Sequence, residues 1–154
     1  MNGGGGGEQT EITIRAAVDK DVPMLASLIT ELGYPTTVDE MTERYRQVAG
    51  RDDYRTFVAV AEGRVVGMIG AYLGYYYEKN GAIVRILALV VDQAYRSYGV
   101  GASLLQHVEN WATAQGAAGV ALNSGLQRQN AHRFYRRHGY REKTLGFYKD
   151  LDGN

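Results

Sequence analysis

The chain has 154 residues, enough for one domain with a substantial core. Hydrophobic residues make up 45% and charged residues 22%, the balance of a soluble globular protein, which argues against wholesale disorder. The 17 Lys and Arg offset the 17 Asp and Glu, so no whole-molecule field draws in nucleic acid or an anionic membrane. Cysteine is absent, which removes disulfides, thiolate metal sites and a cysteine acyl-enzyme.

The Gly3–Gly7 run reads as part of a flexible tail over residues 1–9, with a single domain over 10–154. The start has neither the basic nor the apolar region of a secretory signal. The longest apolar stretch, Ala82 to Val91, is interrupted by Arg85. A membrane-spanning helix needs about 20 apolar residues, so none is expected. A cytoplasmic protein is the default expectation.

Glu11 to Arg15 alternates polar and apolar and predicts a first strand. Asp19 or Asp21 caps a helix with Pro23 in its first turn, and Gly33-Tyr34-Pro35 stops it. Thr37 caps a second helix, with Glu40 completing a capping box. Thr56–Ala61 and Val65–Tyr77 read as an antiparallel hairpin around Glu62-Gly63-Arg64. Asn80-Gly81 signals another hairpin turn, into a long apolar strand from Ala82 to Val91. From Ser97 the pattern becomes helical, with Leu104, Leu105, Val108, Trp111 and Ala112 on one face and Gly116 at the end. A short buried strand over 119–122, a helix over 130–137 and strands at 140–143 and 145–149 complete a mixed α/β domain.

The chemistry-bearing stretch runs from Leu89 to Gly101. A buried strand enters a glycine-containing turn and then a helix. Glycine reaches unusual backbone angles, and the helix start offers unpaired N–H groups and partial positive charge. That combination suits a phosphate group. The dinucleotide fingerprint fails here, because its third glycine is Leu104, and no P-loop Gly-Lys-Ser/Thr is present. Glycines serving only a tight helix start are the plain alternative.

Arg96-Ser97-Tyr98-Gly99-Val100-Gly101 resembles the R/Q-x-x-G-x-G/A signature of the GCN5-related N-acetyltransferase (GNAT) superfamily. Asn130-Ala131-His132-Arg133-Phe134-Tyr135 with Gly139-Tyr140 is similar to that family's second signature, at the expected distance. The resemblance implies a GNAT-like fold: a mixed central sheet, helices on both faces, and parallel strands splayed around acetyl-CoA. It implies that backbone groups along Leu89, Val90 and Val91 meet the pantetheine arm. N–H groups from Tyr98 through Val100, Gly101 and Ala102 to Ser103 would hold the pyrophosphate, beside Arg96, Ser97 and Gly99. Asn130, Arg133, Phe134 and Arg137 would line the other wall, and a homodimer fits the family.

The implied reaction is direct acetyl transfer to an amine. Tyr135 matches the family tyrosine near the CoA sulfur, and its phenol is a hydrogen-bond or proton donor. A backbone N–H near Leu89 would meet the oxyanion. The glutamate that many relatives carry near the strand's bulge is replaced here by Leu87 or Ala88. Glu31, Tyr77, Glu78 and Ser124 stay open as the base. His132 and His138 fall on different helix faces, His107 reads as packed, and no residue spacing points to a metal. Alternation puts Tyr75 and Tyr77 on one face of their strand and Tyr72 and Tyr76 on the other, for an acceptor wall or plain packing. The stretches Val65–Gly70, Ala131–Tyr135 and Phe147–Leu151 resemble small aminoalkylphosphonate-type N-acetyltransferases. A small amine is therefore the expected acceptor, with an aminoglycoside or peptide amine as the alternative. A non-catalytic acetyl-CoA sensor or assembly module is the alternative of a different class.

Overall fold

The computed structural model describes residues 10–153, so the Gly3–Gly7 run lies outside it. Strands β1 (Ile12–Ala16), β2 (Tyr54–Ala61), β3 (Arg64–Tyr75), β4 (Ala82–Val91) and β5 (Ala117–Leu122) form one sheet in chain order. The pairs β1–β2, β2–β3 and β3–β4 are antiparallel. Helix α3 (Val100–Ala114) crosses from β4 to β5, which makes the sheet mixed. Helices α1 (Val22–Leu32), α2 (Val38–Val48) and α4 (Gln129–Arg137) complete the regular structure. Contacts divide the chain into two compact units, which meet at the Ala121–Leu122 bond.

The first unit owes its two covered sheet faces to strand alternation. Met68 sits opposite Val58 on β2 and Val90 on β4. These three pack with Val22, Leu25 and Leu28 of α1 and Tyr45 of α2. Gly67, the neighbour of Met68, points the other way, as a strand requires. A Cβ there would meet Val100 Cγ1 at 3.1 Å, Leu104 Cδ1 at 3.2 Å and the Val90 carbonyl oxygen at 3.3 Å. The missing side chain at Gly67 is thus what lets the start of α3 lie close against the sheet. Leu25, Leu28, Ile69, Leu104 and Leu105 are fully buried, and each contributes about 1.5–3 kcal/mol.

Helix ends follow local chemistry. At α2 the Glu40 N–H donates to Thr37 Oγ1 (3.1 Å) and the Thr37 N–H to Glu40 Oε1 (2.9 Å), the expected capping box. Asp21 does not cap α1 with its side chain. Its carboxylate is buried, accepts from the Val18 N–H (2.8 Å) and from both ends of the Arg15 guanidinium (2.8 and 2.9 Å), and closes a 3-10 turn over Asp19–Asp21. These bonds hold the Asp21 carboxyl below the ordinary carboxylate range.

Several expectations change at their edges. Strand β3 ends at Tyr75, so the connection to β4 spans 76–81, closed by the Tyr76 N–H donating to the Gly81 carbonyl (3.4 Å). The segment between β4 and α3 is a separate 3-10 turn, Gln93–Tyr98, and α3 begins at Val100 rather than at Ser97. The strands expected at 140–143 and 145–149 do not form, and Leu145, Phe147 and Tyr148 are exposed. A strand exists only where a neighbour supplies the ladder. Among the described residues no helix is long and apolar enough to cross a membrane.

Candidate active site

Strand β4 carries an irregularity where the sequence reading looked for one. Gly70 pairs with Ala88 and Ala71 with Ile86, so Leu87 is the unmatched residue of a bulge. Its side chain is exposed. A bulge twists the strand and frees backbone groups that a regular ladder would occupy. Downstream, Leu89 and Val91 are half-buried while Val90 packs inward.

Beyond Val91 the chain leaves the sheet under tight local control. Asp92 Oδ1 accepts from the Ala94 N–H (2.9 Å), and the Asp92 carbonyl accepts from the Tyr95 N–H (2.8 Å). The turn ends at Gly99, with φ +74° in the left-handed region. A Cβ at Gly99 would meet nothing within 4 Å, so glycine is needed for its backbone angle rather than for space. The first bond of α3 runs from the Ser103 N–H to the Gly99 carbonyl (3.1 Å). The N–H groups of Val100, Gly101 and Ala102 come before that first bond, and helix geometry leaves them to an external acceptor. Three adjacent donors at the positive end of a 15-residue helix suit an anionic oxygen cluster.

Side chains from distant elements reach this turn. Glu31 Oε2, near the end of α1, accepts from the Gln93 N–H (2.8 Å) and from Arg96 Nη2 (3.0 Å). Arg96 Nε donates to the Val91 carbonyl (3.1 Å). Tyr95 donates its hydroxyl to Glu62 Oε1 (2.6 Å), in the β2–β3 turn. Arg64 lies 3.4 Å from Asp92 Oδ2.

The second unit carries the other signature on α4. Its ties are local. His132 Nε2 donates to the Gly125 carbonyl (2.8 Å), Arg133 donates to Asn130 Oδ1, and Arg136 pairs with Glu142 (2.7 Å). The Tyr135 ring meets Phe134 and Tyr140 edge-on, at centroid distances of 5.3 and 5.9 Å. Burial pushes the Tyr135 phenol above the ordinary tyrosine range, and the Arg128 charge only partly opposes this. The phenol therefore stays protonated at neutral pH, the form that donates.

Residues 23–140 match the model of the Acetyltransferase (GNAT) family. The chain belongs to that family. It is 32% identical, over 90% of both chains, to the aminoalkylphosphonate N-acetyltransferase of Salmonella typhimurium. Among solved structures, a GNAT family acetyltransferase of Staphylococcus aureus is 31% identical with a TM-score of 0.78, covering 91% of this chain and 98% of its own. The aminoglycoside N-acetyltransferase AAC(6')-Iy in complex with CoA shares the fold, with a TM-score of 0.81 at 19% identity over 92% of this chain and 96% of its own. The protein is thus an N-acetyltransferase of the GNAT fold.

Within this acetyltransferase the remaining candidates separate. Glu31 Oε2 accepts from both the Gln93 N–H and Arg96, which ties this carboxylate to the 93–96 turn. Tyr77 and Glu78 are exposed in the 76–81 connection, and Ser124 is half-buried in the second unit. The His107 ring packs edge-on against Phe57 at 4.7 Å, which gives it a packing role. Of the strand tyrosines, Tyr72 stacks near Tyr54 (4.9 Å), and Tyr76 lies under the Lys79 ammonium (4.5 Å). Tyr75 is exposed at the end of β3, and Tyr77 lies beyond the strand, so the expected alternation does not extend to it. Sequence reasoning did not find the ties from Glu31 and Glu62, because the paired residues lie 62 and 33 positions apart.

Proposed function

We propose that this enzyme moves an acetyl group directly from acetyl-CoA to the primary amine of a small molecule, of the aminoalkylphosphonate type. The observation that carries the reading is Gly99. Its left-handed backbone opens α3 with the Val100, Gly101 and Ala102 N–H groups unclaimed, at the end of a bulged strand. The CoA-bound relative of the same fold supports the cofactor. The name of the Salmonella typhimurium relative supports the acceptor class.

In this reading the three N–H groups hold the pyrophosphate, and the half-buried backbone at Leu89 and Val91 meets the pantetheine arm. Asn130, Arg133 and Phe134 contribute to cofactor binding, as their signature implies. The amine lone pair attacks the thioester carbonyl carbon, and a backbone N–H near Leu89 stabilises the oxyanion. The C–S bond then breaks. The departing thiolate takes the Tyr135 phenol proton, the acetylated nitrogen gives its extra proton to water, and the tyrosinate regains a proton from solvent, which closes the cycle. Cytoplasmic location and homodimeric assembly belong to the same reading and rest on the family resemblance.

Thiol release from acetyl-CoA tests this directly, on a panel of aminoalkylphosphonates, aminoglycosides and a peptide amine. Turnover with an aminoalkylphosphonate and little with the other two is the expected result. Acetyl-CoA binding without thiol release on the whole panel would instead support a non-catalytic binding module.

A further inference from the structure

We propose that Glu31 and Arg96 are positioning residues, a latch that ties the end of α1 to the end of β4 and holds the 93–99 turn in its cofactor-binding shape. This rests on the acetyl-CoA reading above. The signature alone places Arg96 beside the pyrophosphate. In the structure two of its donors also face the protein: Nε serves the Val91 carbonyl and Nη2 serves Glu31. The same Glu31 oxygen takes the Gln93 N–H at the turn's first residue. One carboxylate oxygen and one guanidinium therefore fix the start, the middle and the strand-side anchor of a six-residue 3-10 turn.

Such a turn needs outside support. Short 3-10 segments have poor internal hydrogen-bond geometry. This one must also deliver Gly99 in the left-handed region, so that the next three N–H groups converge on one anion. Charge-assisted bonds from a carboxylate are the stronger kind available for that task. The Tyr95–Glu62 bond holds the opposite side of the turn, so losing the Glu31–Arg96 latch loosens the turn without releasing it. The side chains are 31% (Glu31) and 55% (Arg96) exposed, so truncating either leaves the core intact.

The test compares wild type, Glu31→Ala, Arg96→Ala and the double variant. CoA affinity is read by calorimetry, with kcat, KM for acetyl-CoA, and Tm alongside. Each single change is expected to raise Kd and KM about three- to tenfold, the size of a lost preorganisation. The loss is expected to appear in Kd and KM for acetyl-CoA more than in kcat, with a Tm within about 2 °C of wild type. Because the two residues act as one latch, the double variant is expected to be no worse than the poorer single. Glu31→Gln keeps an acceptor for the Gln93 N–H and should recover part of the affinity. Hydrogen exchange at the Gln93 amide should accelerate in Glu31→Ala.

If Arg96 binds phosphate itself, Arg96→Ala weakens CoA while Glu31→Ala leaves it unchanged or tightens it. That pattern overturns the latch, as do wild-type affinities in both single variants. A wild type that binds neither acetyl-CoA nor CoA sinks the cofactor reading and the latch with it. Variants with a collapsed Tm would show a folding role in place of a positioning one.

Discussion

The turn at 93–101 and the helix at 129–137 each carry one acetyltransferase signature, and they are held by different means. The first is gripped from a distance, by Glu31 of α1 and by Glu62 of the β2–β3 turn. It rests on a helix whose Val100, Leu104 and Leu105 are fully buried. The second has local ties, with His132 on Gly125 and Arg136 on Glu142. None of the residues of α4 is fully buried. The 93–99 turn is thus tied to distant elements of the first unit, whereas the ties named for α4 are short-range. Binding and proton delivery should then respond separately to substitution.

The largest separation is expected at Tyr135. Tyr135→Phe removes the donor and keeps the ring, so kcat should fall about 100-fold. KM for acetyl-CoA should stay within about twofold, since uniform binding is untouched. A matching loss of acetyl-CoA affinity would break the comparison. Gly67→Ala should act on the other region. Its new Cβ would press on Val100, Leu104 and the Val90 carbonyl. A cost of about 1–3 kcal/mol follows from overpacking, read as a lowered midpoint in urea. Gly99→Ala places a side chain at φ +74°. This should cost about 1–2 kcal/mol of the binding-competent turn, or roughly tenfold in CoA affinity, with kcat preserved.

A smaller effect sharpens the anchoring of α1. The folded Asp21 carboxyl lies below its ordinary range, so its contribution is full above the unfolded value, about pH 4, and is lost as pH falls toward the folded one. Wild-type Tm should drop below that pH. Asp21→Asn should remove most of that acid dependence and cost about 1 kcal/mol at neutral pH, because Arg15 is partly solvated. Thermal melts from pH 3 to 7 read both. An unchanged acid slope in the variant would move the dependence to another carboxylate.

What the sequence made legible was mostly local chemistry. Thr37 and Glu40 announce a capping box because both bonds lie within four residues. The apolar run Ala82–Val91 is a strand at those same ends. The Gly99 turn is readable because a left-handed angle demands a residue type. The Glu31–Arg96 latch was not readable, since side chains 65 positions apart meet only through the fold. The C-terminal strands failed for the same reason in reverse. Residues 140–149 read as two short strands, and no partner strand pairs with them among the described residues. Leu87 shows the middle case: the bulge forms where the family pattern implies, and the carboxylate that usually accompanies it is absent.

The most direct test of the central claim is a thermal-shift titration with acetyl-CoA, with CoA and ATP as controls. A ligand specific to the folded state at 100 times Kd adds about 2.7 kcal/mol. For a chain of this size that raises Tm by several degrees. A saturating shift with acetyl-CoA and CoA, and little or none with ATP, is the predicted result. No shift at millimolar acetyl-CoA, or an equal shift with ATP, would contradict the assignment of the Gly99–Ala102 turn as the cofactor's pyrophosphate site.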